Sequence, residues 1–248
     1  MSLFSLTIPQ LILFVLCAAL VGFSKTSMTN LSMLSIVVLA GLFGGRTSTG
    51  VVLILLIMGD LFAVKHYTKH CDWSQLKYLL PWAFVGIAIG LLVGGFVTDA
   101  QFKIIIAILV LFSLGLMVLR ERRGNRVSLP DSAWLSALVG LACGFATMIG
   151  NIAGPILGLY LLAKHLPKYV FVGTSAWFYA IVNVAKIPLH LFVWRTLTWN
   201  TLALDALAAP ALALGALAGV WLLAKIPEKI FRHLIMVLTT LAAIKLLF

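Results

Sequence analysis

The 248-residue chain is 62% hydrophobic and only 10% charged, and its formal net charge is +11. Soluble domains average about 45–50% apolar residues, so this composition excludes a soluble globular protein and predicts a polytopic membrane protein built as one membrane domain. In that setting the positive charge indicates orientation signals beside anionic lipids rather than a nucleic-acid partner. The N-terminus lacks the basic region and cleavage site of a signal peptide, so we expect it to be retained.

The first half of the chain, residues 1–124, contains two short apolar segments followed by three long ones. The short segments lie within residues 9–43, on either side of the polar run Gly22-Phe23-Ser24-Lys25-Thr26-Ser27-Met28-Thr29-Asn30. Because a transmembrane helix needs about 20 apolar residues, the long segments predict transmembrane helices. These long segments cover residues 47–64, 77–97 and 102–119.

The second half, residues 125–248, repeats this order of segments. Its short pair lies within residues 133–163, around the run Gly144-Phe145-Ala146-Thr147-Met148-Ile149-Gly150-Asn151, and its long segments cover residues 169–193, 201–223 and 230–248. A shift of 122 positions places Gly22 on Gly144, and one further position places Asp60 on Asn183. Internal repeats of this kind are typical of secondary transporters, so we predict an all-α protein of two repeats.

The short segments are roughly 12–15 residues long and would reach only about 20 Å. We therefore interpret each short pair as a re-entrant helical hairpin, which enters and leaves the membrane on one side. Non-helical backbone at membrane depth is tolerated only where it is buried in protein or lines a wet cavity. The alternative is ten true spans in a locally thinned bilayer.

Lysines and arginines indicate the orientation, because they accumulate on the cytoplasmic side of membrane proteins. One predicted side carries Lys65, Lys69, Lys77, Arg120, Arg122, Arg123, Arg126, Lys164, Lys168, Lys225, Lys229 and Arg232, and the other carries Arg46, Lys103, Arg195 and Lys245. We expect the richer side to be cytoplasmic and both termini to lie outside. Each half then contributes three full crossings, so the halves are inverted and the two hairpin tips can meet near the midplane.

The two tips carry polar residues that suit an anion. The first offers Lys25, Thr26, Ser27 and Asn30, and the second offers Thr147, Gly150 and Asn151. At each tip a returning helix begins, and a helix N-terminus presents free N–H groups and a partial positive charge. The competing interpretation is that Lys25 reaches a membrane surface and the hydroxyls only cap helices.

Polar residues inside the long segments extend the candidate site. Asn183, Lys186 and His190 share one helix face, and Asp60 is the only acid inside a span of the first half. Counted at 1.5 Å per residue, Lys25 and Asp60 both lie about 20 Å from the outer surface, so we predict that they form an ion pair. Lys186 should lie only about 6–10 Å deep, beyond contact with Asp60, and could extend to the surface. We expect His190 to be a structural residue with satisfied hydrogen bonds.

No motif predicts catalysis, a metal or a cofactor. The sequence lacks H-E-x-x-H, G-x-S-x-G and phosphate-loop patterns, and Cys17, Cys71 and Cys143 have no zinc or redox spacing. The predicted partners are therefore a small anionic substrate and membrane lipids. The oligomeric state stays open, with a homodimer as one option.

Several short runs carry a family resemblance that covers nearly the whole chain. They are Gly22-Phe23-Ser24-Lys25-Thr26, Gly59-Asp60-Leu61-Phe62-Ala63-Val64 and Leu80-Pro81-Trp82, then Gly144-Phe145-Ala146-Thr147-Met148-Ile149 with Asn151, Ala153-Gly154-Pro155, Leu159-Tyr160-Leu161-Leu162, Leu166-Pro167-Lys168 and Phe171-Val172-Gly173-Thr174. This ordered set resembles a branch of the TauE/SafE family, also called the sulfite exporter or TSUP family. Many relatives carry a glycine-rich, proline-containing run where this chain has Ser27-Met28-Thr29-Asn30-Leu31-Ser32, and this departure leaves the exact substrate open.

The resemblance implies a carrier in the bacterial inner membrane that exports sulfite or organosulfonates such as sulfoacetate. One alternative is proton-coupled uptake of a sulfur oxyanion, for which Asp60 would take the proton. The other is a membrane protein that transports nothing, either an intramembrane enzyme or an assembly factor.

The orientation can be tested by cysteine labelling. In a variant whose three native cysteines are replaced by serine, Gly124→Cys should react with an impermeant maleimide only after the membrane is permeabilised, because residue 124 is predicted to be cytoplasmic. Lys103→Cys, on the predicted outer side, is the matched control and should react in intact cells. The opposite pattern would contradict the predicted orientation.

Overall fold

The computed structural model describes residues 6–27, 31–67, 69–123 and 132–222, with four isolated helical positions at 237, 240, 241 and 244. Regular structure in these ranges is entirely helical. The helices are α1 (Ile8–Thr26), α2 (Ser32–Phe43), α3 (Gly45–Tyr67), α4 (Trp73–Phe96), α5 (Asp99–Arg123), α6 (Ala133–Gly150), α7 (Gly154–Ala163), α8 (Lys168–Pro188) and α9 (Trp199–Leu222). A five-residue π-helical segment, Leu189–Val193, continues α8.

Seven helices are long and apolar enough to cross a membrane, namely α1, α3, α4, α5, α6, α8 with its π-helical continuation, and α9. Large apolar side chains stay exposed on these helices, as expected for surfaces that face lipid. The prediction of an all-α polytopic membrane protein is therefore confirmed. The predicted final span, residues 230–248, lies outside the described ranges.

The predicted lengths of the two leading hairpin arms were wrong. Helix α1 has 19 residues and α6 has 18, whereas α2 and α7 have 12 and 10. The polar runs were assigned to the tips, but α1 stays helical to Thr26 and α6 to Gly150. At the end of α1 the hydroxyl of Ser27, the C-cap residue, donates to the carbonyl of Phe23 one turn earlier, at 2.7 Å. The polar residues up to Thr26 are therefore part of the helix, and the helix ends at Ser27.

Helices α1 and α2 form an antiparallel hairpin. At the tip, the backbone N–H of Ser32 donates to Ser24 Oγ at 3.1 Å. At the other end the rings of Phe14 and Phe43 meet edge to face, with centroids 5.8 Å apart. The tip lies partway along α3, because Lys25 contacts Asp60 and α3 continues beyond it to Tyr67. This depth supports a re-entrant hairpin, although α1 by itself is long enough to span.

Two helix pairs, α1 with α9 and α4 with α6, make the most extensive contacts in the described part of the chain. Each contact depends on glycines that let a neighbouring backbone approach. A Cβ on Gly22 would overlap the carbonyl of Leu212 in α9, and a Cβ on Gly144 would overlap the carbonyl of Ala83 in α4. Helices in membranes commonly associate through such small residues, because moving an apolar side chain from lipid to a helix interface contributes little free energy and close backbone packing contributes more.

These two contacts lie at positions that the predicted repeat makes equivalent. Gly22 and Gly144 are 122 positions apart, and a second matched pair consists of Gly215 against Ala19 and Gly86 against Leu141. The central helices α3 and α8 are also equivalent in the repeat, and they run in opposite directions, since Asp60 meets Asn183 while Gly173 lies against Tyr67 and His70. Matched contacts with opposed central helices are what an inverted repeat predicts, and they support that interpretation.

The glycine contacts can be tested with matched alanine variants. Gly144→Ala and Gly22→Ala should each destabilise the protein by about 1–3 kcal/mol, the usual cost of overpacking. At Gly41 and Gly115 an added Cβ would meet no atom within 4 Å, so alanine there should be neutral or stabilise the helix by about 0.5–1 kcal/mol. Thermal unfolding in detergent measures both sets. Equal effects in the two sets would refute the close-contact argument.

Candidate functional site

A partly open cavity of about 100 Å³ lies between the hairpins and the central helices. Its wall contains both polar and apolar side chains. The polar lining consists of Ser24, Lys25, Ser27, Ser32, Asp60, Thr147, Asn151, Ser175, Tyr179 and Asn183, and the apolar lining includes Leu56, Ala63, Phe171, Val172 and Ala176. Both halves of the sequence therefore contribute polar groups to one site.

An ion pair between α1 and α3 lies in the cavity wall. The Nζ atom of Lys25 is 2.6 Å from Oδ1 of Asp60, and the two side chains are only 12% and 1% exposed. Gly59 makes room for the lysine stem, because a Cβ there would lie 2.8 Å from Lys25 Cγ. The two residues that were predicted to pair are therefore in direct contact, at a distance where an opposite charge acts strongly.

The other oxygen of Asp60 binds the second half of the chain. Asn183 in α8 donates from Nδ2 to Asp60 Oδ2 at 2.6 Å, so both carboxylate oxygens have partners. Tyr179, one turn before Asn183, places its ring centroid 4.5 Å from Lys25 Nζ, a cation–π distance. These contacts hold α1, α3 and α8 together around a single buried carboxylate.

Lys186 lies in the interior rather than near the surface, so the predicted shallow position was wrong. Its side chain is fully buried. Its Nζ atom donates to the carbonyl of Thr147 at 3.0 Å, to Thr147 Oγ1 at 3.0 Å and to Asn151 Oδ1 at 2.6 Å. Its binding partners are thus on the second tip, and both of these partner residues line the cavity.

Asn151 ends α6 and orients the second tip. It adopts the left-handed conformation, with φ 56° and ψ 30°, and its N–H reaches the carbonyls of Ala146 and Thr147. Asparagine tolerates this conformation better than most residues. Its amide is used at both ends, because Oδ1 accepts from Lys186 and Nδ2 donates to the carbonyl of Thr49 at 3.2 Å. In this conformation Asn151 therefore orients Lys186.

Most of the predicted site residues meet at the cavity. Lys25, Ser27, Asp60, Thr147, Asn151 and Asn183 line it. Thr26 and Gly150 do not, since Thr26 Oγ1 donates to the carbonyl of Ala216 in α9 at 2.8 Å and Gly150 packs against Ile152 and Ile106. Asn30 lies outside the described residues.

The sequence analysis missed four polar residues of the lining, namely Ser24, Ser32, Ser175 and Tyr179. The helical spacing of Ser175 and Tyr179 from Asn183 could have identified these two. Ser175 and Tyr179 precede Asn183 by eight and four residues, so all three share the helix face that was assigned only to Asn183, Lys186 and His190. Ser24 and Ser32 become neighbours only when the hairpin closes.

Two other buried polar side chains lie outside the cavity lining. His190 bonds Thr196 through Nδ1 at 2.8 Å, while its Nε2 has no partner within the described ranges, so its predicted hydrogen bonding is only half satisfied. Asp205 in α9 was overlooked in the sequence. It is fully buried, and neither carboxylate oxygen has a partner in the described part of the chain.

The charges around the cavity favour an anion. Lys25 lines the cavity and Lys186 lies behind Thr147 and Asn151, so two lysines accompany one carboxylate, that of Asp60. Of the four serines in the lining, Ser27 and Ser175 already donate to the carbonyls of Phe23 and Phe171. Desolvated cations and hydroxyl donors bind oxyanions well. Among the described residues, no group of three or more His, Cys, Asp or Glu could hold a metal ion.

The sequence profile of the family described as "Sulfite exporter TauE/SafE" matches residues 14–246 of the chain. No curated protein and no solved structure matches the chain.

The ion pair can be tested by a double-mutant cycle with Lys25→Met and Asp60→Asn. Each single change should cost about 3–5 kcal/mol, because it leaves the other charge buried and unpaired. The double variant should lose less than the sum, with a coupling energy of about 1–3 kcal/mol. Unfolding in detergent provides the free energies.

The matched control is the exposed pair Lys103–Asp99, whose Nζ–Oδ2 distance is 3.4 Å. The cycle Lys103→Met and Asp99→Asn should give a coupling of about 0.5 kcal/mol or less. Strictly additive losses at Lys25 and Asp60 would rule out an energetically important pair.

Proposed function

Because the chain belongs to the sulfite exporter TauE/SafE family, whose members are membrane transporters and not enzymes, we propose that it exports a small sulfur-containing oxyanion. Sulfite and small organosulfonates are the proposed substrates. The proposed location is a bacterial inner membrane, with both termini outside the cytoplasm. The substrate would bind in the cavity between the two hairpin tips.

The observation that carries this proposal is the composition of the cavity. Its lining combines Lys25 with serine side chains, and Lys186 lies directly behind the lining residues Thr147 and Asn151. The single carboxylate, that of Asp60, is already bound on both oxygens by Lys25 and Asn183. A site with more cationic than anionic groups favours a negatively charged ligand. Tetrahedral or pyramidal oxyanions present several acceptor oxygens to such donors.

The position of the cavity supports loading from the cytoplasm. Its lining includes Ala63 near the end of α3 and Phe171 near the start of α8. These helix ends adjoin Lys65 and Lys164, which belong to the side predicted to be cytoplasmic. A site reached from that side is where an exporter would receive its substrate.

The membrane potential favours transport of an anion out of the cell. A potential that is negative inside drives an anion outward with about 2.3 kcal/mol per charge for each 100 mV. Export of an anion therefore needs no coupled ion. Proton-coupled uptake is the second candidate, and the contact between Asp60 and Lys25 favours it, because a proton on Asp60 would release Lys25 to bind an incoming anion.

Flux from proteoliposomes tests the function. Vesicles loaded with sulfite or methanesulfonate should release the anion faster when an inside-negative potential is imposed, because the field drives negative charge outward. Empty vesicles without protein give the background. Uptake that depends on an inward proton gradient would instead favour the second candidate. A lack of flux for every sulfur oxyanion, from folded protein, would overturn both.

The variant Asn151→Ala should reduce this flux about tenfold or more, since it removes the oxygen that holds Lys186 and a hydrogen bond to a charged group contributes about 1.5–3 kcal/mol. Asn200→Ala, at an exposed position at the start of α9, is the matched control and should leave the flux unchanged. Equal flux from both variants would place the site elsewhere.

A further inference from the structure

We propose that Lys186 gives the cavity a net charge of +1 and that the site therefore selects anions with a single negative charge over dianions. This inference rests on the proposed function and narrows its substrate class. It depends on which buried charges are paired and which are not.

Lys25 does not supply the net charge. Its Nζ atom forms the 2.6 Å ion pair with Asp60, so the two charges cancel. The second oxygen of Asp60 is bound by Asn183. The pair is therefore a neutral unit in the cavity wall.

The hydrogen bonds of Lys186 match those of an ammonium group, and none of its partners is a carboxylate. Its three acceptors, Thr147 O, Thr147 Oγ1 and Asn151 Oδ1, match the three N–H donors of an ammonium group. Asn151 is oriented by its bond to Thr49, which turns the amide oxygen toward the lysine. In the described residues, the ion pairs are Lys25–Asp60 and Lys103–Asp99, so no carboxylate compensates Lys186.

A fully buried and uncompensated cation is costly in an apolar region. The cavity offers a place for the missing counter-ion, because Thr147 and Asn151 both contact Lys186 and line the cavity. An anion bound against these two residues would lie one side chain away from the ammonium group. At that separation, and with little water between them, the attraction is strong.

The number of charges on the ligand then decides how tightly the site binds it. A monoanion brings the site to zero net charge, whereas a dianion leaves one negative charge uncompensated in a region of low dielectric. The apolar lining by Leu56, Phe171 and Ala176 also suits a ligand with a small apolar substituent in place of one charged oxygen.

Methanesulfonate and sulfate are a matched pair of probes, since they have similar size and tetrahedral shape and differ by one charge. Equilibrium binding to the purified protein in lipid nanodiscs should favour methanesulfonate by about tenfold or more, which corresponds to about 1.4 kcal/mol. Wild-type protein that binds sulfate as tightly as methanesulfonate would overturn the inference.

Variants that change the net charge of the site test whether the preference for monoanions comes from Lys186. Asp60→Asn raises the net charge to +2 and should shift the preference toward sulfate by about tenfold. Lys186→Met lowers it to zero and should weaken methanesulfonate binding more than the double variant Lys25→Met/Asp60→Asn, which keeps the charge of Lys186. Folded Lys186→Met with wild-type affinity would contradict the role of Lys186.

The outcomes also separate this inference from the proposed function. If Lys186→Met does not fold, the wild-type preference and the shift in Asp60→Asn decide the question. If sulfur oxyanions are transported but the charge preference is absent, only the inference fails. If neither probe binds and no sulfur oxyanion is transported, both fail.

Discussion

The structure depends on a buried ion pair that joins a hairpin tip to the central helices. Lys25 on α1 binds Asp60 on α3, and Asn183 on α8 binds the other oxygen of the same carboxylate. Neither charge could remain at this depth alone, because breaking a buried pair costs about 3–5 kcal/mol. The position of the first tip is therefore fixed relative to α3 and α8, and the cavity forms where these three elements meet.

The two halves have a similar order of helices in the predicted repeat, but their charged residues lie at different positions. In the register that aligns Asp60 with Asn183, Lys186 aligns with Ala63, and Lys25 aligns with Thr147 in the register of the tips. Each half thus contributes one lysine, the first from its tip and the second from its central helix. The lysine of the first half is neutralised by an acid, while that of the second half is held by neutral oxygens. This asymmetry within a repeated frame leaves a cationic group for a ligand.

The glycine contacts explain how the leading helices α1 and α6 are held in place around the cavity. Gly22 and Gly144 bring α1 against α9 and α6 against α4 at backbone contact. Close packing of this kind replaces the hydrophobic driving force that a membrane lacks. Both leading arms are thereby fixed along their length, so the polar groups near their ends keep defined positions around the cavity.

The sequence by itself determined the all-helical membrane class and the level at which Lys25 meets Asp60. These features follow from one-dimensional quantities, namely apolar length and a rise of 1.5 Å per residue. It also identified six residues that line the cavity. The lengths of α1 and α6 were underestimated, because a polar run was interpreted as a loop, whereas Ser24, Lys25 and Thr26 are part of α1.

Only the tertiary structure decided the place of Lys186. Depth was counted from the predicted outer end of the span, but the chain beyond α8 packs back against the protein at Trp194 and Thr196, which are both buried. The end of that helix therefore does not mark the membrane surface. The contacts of Lys186 with Thr147 and Asn151, which lie 39 and 35 positions away in sequence, depend on how α8 is rotated and packed against the second tip, and no local pattern encodes that rotation.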